Sequence, residues 1–205
     1  MCSMSGTTVW LSCGVLRAEL EELHRRGALA GELLFLDSML HMDPPTLEAR
    51  LTEILKGRTR GSACLILVYG DCSAGMLDLV RDYRVGRVPV INCVQLLVGK
   101  ERYRQLMREE AFVILPEWSQ RWEHIVKDEL GLNQVVAHGL IGENRRVLVY
   151  LDTGLAPVPE EHLKAFSSYT GLPWRVDTVA LDAMLSSLLS TRAGACSELS
   201  EGSPA

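Results

Sequence analysis

Cys64-Leu65-Ile66-Leu67-Val68-Tyr69-Gly70-Asp71-Cys72 passes without a break from an apolar run into a glycine turn that ends on a thiol. Aliphatic side chains with no polar alternation suit a strand covered on both faces, as in a parallel sheet. A helix from Gly75 to Tyr83 is expected next. The same rhythm recurs on either side. Thr8 to Ser12 reads as a strand that ends at Cys13, followed by a helix from Leu16 to Arg26 closed by Gly27. Leu33 to Leu36 reads as a strand that leads to His41, and a helix from Pro45 to Lys56 follows with Asp43 as its N-cap. Val88 to Asn92 reads as a fourth strand ending at Cys93, Lys100 to Glu110 as a helix, and Phe112 to Leu115 as a fifth strand ending at Pro116-Glu117-Trp118. Strands alternating with helices of this length predict parallel pairing, hence an α/β, Rossmann-like layered fold.

Past Trp118 the rhythm continues on a smaller scale. Trp118 to Leu130, Pro159 to Tyr169 and Leu181 to Leu189 read as helices, and Arg146 to Leu151 and Trp174 to Thr178 as strands. The expected organisation is a flexible N-terminus over 1–7, a Rossmann-like half over 8–130, a smaller C-terminal α/β half over 131–190 and a disordered tail over 191–205. The two halves are expected to share a continuous or adjoining sheet.

With 205 residues, 47% of them hydrophobic, the chain has ample material for a core. It has no apolar run of the roughly 20 residues that cross a bilayer. Its start, Met1-Cys2-Ser3-Met4-Ser5-Gly6, lacks the basic and apolar segments of a secretory signal, so a cytoplasmic protein is expected. The net charge of -5 argues against a sequence-independent grip on nucleic acid. Lys100, Arg102, Arg104 and Arg108 are interleaved with Glu101, Glu109 and Glu110, which makes them the wet face of a helix.

Six cysteines in a reducing compartment do not form a disulfide framework, and they sort singly. Cys64 reads as a small buried hydrophobe, and Cys2 and Cys196 fall in the termini. Cys13, Cys72 and Cys93 all follow strand-like runs, and in an open parallel sheet those ends share one crevice. Thiolates are soft ligands for zinc, copper(I) or iron–sulfur clusters. Three cysteines hold three irons of a 4Fe-4S cubane and leave the fourth open to substrate, water or His41, the candidate catalytic residue. Zinc bound by three sulfurs and one histidine is the alternative, although no short Cys-x-x-Cys pair is present. Gly14 and Gly70 allow the chain to approach a bulky cofactor, and Trp118 and Trp122 either cover the crevice or pack in the core. Two weaker motifs lie in the same loop. Gly70-Asp71-Cys72-Ser73-Ala74-Gly75 is a glycine-rich turn into a helix that lacks the lysine of a phosphate loop, and Cys72 with His41 makes a nucleophilic pair without an orienting acid.

Several blocks carry a resemblance. Cys13-Gly14-Val15-Leu16, Leu36-Asp37-Ser38-Met39-Leu40-His41, Tyr69-Gly70-Asp71-Cys72, Asn92-Cys93-Val94-Gln95-Leu96-Leu97-Val98-Gly99, Arg102-Tyr103 and Leu115-Pro116-Glu117-Trp118 resemble, in order and wording, the bacterial and archaeal family catalogued as domain of unknown function 1638. Gly99-Lys100 and Glu117-Trp118 depart from that family's pattern, which has serine after the first glycine and glycine before the tryptophan. Genes of the family often accompany corrinoid-dependent methyl-transfer genes, so the resemblance implies one-carbon or metallocofactor metabolism. Two classes of function follow. One is an enzyme, a lyase or transferase, working at an open metal position on a small molecule. The other is a non-catalytic accessory that binds zinc, a corrinoid or a methyltransferase partner. Neither nucleic acid nor membrane is expected as a partner, and a homo-oligomer is left open.

Overall fold

The computed structural model describes residues 8–58 and 64–201, with side chains as far as residue 195. In chain order the first elements are β1 (Thr8–Cys13), α1 (Arg17–Arg25), β2 (Glu32–Leu36), α2 (Pro44–Arg58), β3 (Cys64–Val68), α3 (Met76–Tyr83), β4 (Gly86–Arg87) and α4 (Cys93–Val98). They are followed by α5 (Lys100–Arg108), β5 (Ala111–Ile114), α6 (Pro116–Ser119), α7 (Gln134–Asn144), β6 (Val147–Asp152), α8 (Glu160–Thr170), β7 (Trp174–Thr178) and α9 (Asp182–Glu201). The strands form two parallel sheets, ordered β2-β1-β3-β4 and β5-β6-β7, so the chain adopts the Rossmann-like α/β class that the alternation predicts.

Two compact units divide the chain: residues up to Leu96 together with α9, and Leu97–Leu181. In the first unit β1 and β3 occupy the centre of the sheet and are buried along their whole length, which is why their sequences show no polar alternation. β2 lies at the edge and is partly exposed. Asp43 caps α2 as expected, its Oδ1 accepting from the Thr46 amide at 3.2 Å, while Leu47, Leu51 and Leu55 form the buried stripe. α9 packs on β3 and β4. The second unit closes around Ile114, Trp122, Ile141, Leu148, Leu163 and Phe166, with the Trp122 and Phe166 rings stacked at 4.8 Å. Trp122 is therefore core.

Four expectations need correction. Residues 88–92 do not form a strand: β4 ends at Arg87, Val88 still donates to Leu67 O at 3.2 Å, and Pro89 then supplies no amide to continue the ladder. The domain boundary falls at Leu96 and not at 130, because β5 pairs with β6 in a sheet of its own. The strands thus form two sheets, not one continuous sheet. The last helix extends through Glu201, so helical structure covers most of the segment expected as a disordered tail. The segment from 118 to 130 holds the end of the short α6 and a π-helical turn over His124–Glu129 in place of one regular helix. The expected flexible N-terminus, with Cys2, lies outside the described residues.

Candidate functional site

Ser12 of β1 pairs with Val68 of β3, so Cys13 and Tyr69 are the next positions on two neighbouring central strands, at the carboxyl edge of the first sheet. Cys13 is the last residue of β1 and lies beside Leu36 of β2. Gly14 then turns the chain against that strand, where a Cβ would stand 2.9 Å from Leu36 O. At Gly70 a Cβ would fall 2.2 Å from Ile91 O and 2.6 Å from Asn92 Cα, and the Asp71 amide donates to Ile91 O at 2.7 Å. Only glycine permits this approach. It clamps the segment just before Cys93 to the loop that carries Cys72. Asn92 then caps α4, its Oδ1 accepting from the Gln95 amide at 2.9 Å, while Gln95 Oε1 accepts from the Ile91 amide at 2.6 Å. Cys93 accordingly enters the site from the first turn of a helix, not from the strand end that the sequence suggested.

The three thiols lie in one electrostatic neighbourhood. Cys93 donates its S–H to Cys13; that bond, then burial, then the charges of Cys13 and Cys72 hold its pKa well above the ordinary thiol value. Cys72 is raised by burial and then by Cys13, with Asp71 adding to the rise and Arg87 opposing it. Arg87 pairs with Asp71 at 2.8 Å and has a side chain only 14% exposed. A thiol held protonated is less nucleophilic than a thiolate, which weighs against the Cys72–His41 nucleophilic reading.

Tyr69 is the residue that the sequence reading missed. It is 2% exposed, and its buried hydroxyl has no hydrogen-bond partner among the described residues. Burial, followed by Cys13, Cys93 and Cys72, pushes its ionisation far above the ordinary phenol value. A buried polar group without a partner costs about 1–3 kcal/mol. Phenylalanine at this position would avoid that cost. The available signal was its place: Tyr69 immediately follows β3, next to the position of Cys13 after the β1 pairing.

The remaining candidates separate. His41 lies in a 3-10 turn, Ser38–Met42, whose start is capped by Asp37 Oδ1 accepting from the Met39 amide at 2.9 Å. His41 is exposed, and the cause that lowers its pKa is partial desolvation of the ring, with none of the thiols contributing. Trp118 belongs to α6, in the second unit. Cys64 is buried within β3, as a small hydrophobe. The glycine-rich loop is no phosphate cradle, because Glu48 Oε1 already accepts from the Gly75 amide at 2.8 Å and places a carboxylate at the start of α3. Among the described residues no three His, Cys, Asp or Glu side chains are grouped so that they would share one metal ion. Cys13, Cys72 and Cys93 are neighbours, but they are not a ready-made ligand set for a single ion.

No helix among the described residues is long and apolar enough to cross a membrane. Neither a curated protein nor a solved structure matches the chain. A family model does match, over residues 35–188, a span that includes Cys72 and Cys93 and begins after Cys13. It covers well over half of the 205 residues, and the chain belongs to the family described as "Protein of unknown function (DUF1638)".

Proposed function

We propose that Cys13, Cys72 and Cys93 hold an iron–sulfur cluster, one iron of which stays open to a small-molecule substrate. The observation that carries this reading is the gathering of three thiols and a phenol from three separate segments into one partly buried neighbourhood, where Cys13 disfavours ionisation of Cys72, Cys93 and Tyr69. Acids packed in this way release their protons when a cation takes their place, which is what a bound metal supplies.

The donor set favours a cluster over zinc. Sulfurs on one zinc, with bonds of about 2.3 Å, stand within about 4 Å of one another, and the described residues offer no such group of three. A cluster instead takes each thiolate on a different iron. The Cys13–Cys93 hydrogen bond has to break as it binds. An open iron supplies a Lewis acid. Gly14 and Gly70 let the backbone close around the site, and His41 stands on the turn that follows the neighbouring β2. A cytoplasmic setting, one-carbon or corrinoid-linked metabolism and a methyltransferase partner belong to this proposal through the family resemblance.

The test is purification without oxygen, with iron and acid-labile sulfide quantified per chain. The expected protein is brown, and each of Cys13→Ser, Cys72→Ser and Cys93→Ser loses most of its iron while Cys64→Ser keeps it. Stoichiometric zinc with no iron replaces the cluster by the zinc alternative. No metal after anaerobic reconstitution overturns the reading.

A further inference from the structure

The Tyr69 hydroxyl is buried at the same sheet edge as the thiols, one position past the last β1–β3 pair, and no group among the described residues accepts its hydrogen. On the other side of Cys72, the Ser73 hydroxyl is a second buried oxygen without a partner. Two orphaned donors therefore flank Cys72, at a place where Gly70 has been used to pull the Cys93 segment into contact. A protein that needed only to fill space there has phenylalanine and alanine available. Hydroxyls kept without partners inside a fold point to an acceptor that comes with a ligand.

We propose that Tyr69 is the hydrogen-bond donor of the three-thiol site, its hydroxyl donating to a sulfide or thiolate sulfur of the group held by Cys13, Cys72 and Cys93. This assignment rests on the cluster reading. A phenol is protonated at neutral pH, so it offers a donor to electron-rich sulfur and does not compete as a ligand. A hydrogen bond to a cluster sulfur withdraws electron density and raises the reduction potential. Tyr69 is thus a positioning and tuning residue.

Tyr69→Phe removes one oxygen and leaves the ring in place. In the metal-free protein the variant should unfold at a higher temperature than wild type, because an unsatisfied hydroxyl has gone. After reconstitution with ferrous iron and sulfide under argon, wild type and variant should carry equal iron, and the variant's midpoint potential, followed by electron paramagnetic resonance, should move downward. Equal iron with an unchanged potential and spectrum overturns the Tyr69 assignment and leaves the cluster standing. A metal-free variant no more stable than wild type also overturns it, since the hydroxyl then has its acceptor within the protein. A wild-type chain that takes up no iron removes the cluster reading and this assignment together.

Discussion

At the carboxyl edge of the first sheet, Cys72, Cys93 and Tyr69 are pushed toward their neutral forms by burial and by neighbouring thiols, Cys13 acting on all three. On the second unit the opposite holds. Arg175 hydrogen-bonds Glu109 and holds its carboxyl below the usual range, and burial of Asp177 is outweighed by its hydrogen bonds to Arg175 and Arg102, so that its pKa also falls. Arg175 reaches Asp177 at 2.9 Å, and Arg102 on α5 bonds the same carboxylate, so β7 is tied to the helix by guanidinium forks. The second cluster is electrostatically complete: every acid in it has a cation. The first sets neutral thiols and a phenol side by side, with Arg87 opposing the rise at Cys72. Perturbed groups gathered in one place mark it as the candidate site, whereas the second region reads as a structural network that satisfies its charges internally.

The serine substitutions at Cys13, Cys72 and Cys93 probe that contrast most severely. Each should remove most of the bound iron, and full retention in all three would make the first cluster as self-sufficient as the second. Next comes Gly70→Ala, since its Cβ would meet Ile91 O at 2.2 Å. A cost of about 3 kcal/mol in urea unfolding is expected, at the upper end for overpacking, together with loss of the mutual protection of Cys72 and Cys93 from alkylation. Unchanged stability would mean that the Gly70 clamp does not bring those thiols together.

The two regions should also part on pH. Raised thiols stabilise the fold below their ordinary value of 9.0 and lose that contribution as pH climbs above it. Lowered carboxylates stabilise it above their ordinary values of 4.5 and 3.8 and lose that contribution as pH falls below them. Hydrogen exchange of the metal-free protein should therefore loosen the first unit first in alkali and the second first in acid. The same order of loosening at both extremes would erase the comparison. The smallest effect is expected from Arg102→Gln. Its side chain is a third exposed, and loss of its ion pairs should cost about 0.5–1 kcal/mol by thermal unfolding. A much larger loss would mean that the α5–β7 tie carries the second unit's fold.

The accuracy of the sequence reading followed the range of the interactions involved. β7 was legible to the residue, and β6 and α8 to within one, because an alternating or apolar run, or an apolar stripe, bounded by turn residues is a local signal. Gly27 and Gly171 both adopt the left-handed conformation expected where helices stop. α7 was not foreseen, although Asn133 caps it through the Val136 amide at 3.1 Å, because Gly139 and Gly142 mask its periodicity. Residues 88–92 look like a strand by composition and are refused by the ladder at Pro89. Tyr69 looked like one more apolar residue of the β3 run, since nothing in a sequence says whether a phenol's oxygen finds an acceptor.

The chain's own order of residues determined the parallel α/β class, the helix cap at Asp43, and the placing of Cys13 and Cys72 at and just after the ends of central strands. Tertiary structure alone decided that β5 leaves the first sheet to pair with β6, that α9 returns to complete the first unit, and that Cys93 reaches Cys13 through the contact of Gly70 with Ile91. The physical reason is range. Propensity, periodicity and capping act within a few residues, and the sequence displays them directly. The choice of a strand's partner, the closeness of two backbones and the isolation of a buried hydroxyl depend on residues tens of positions apart, and exist only once the whole unit has packed.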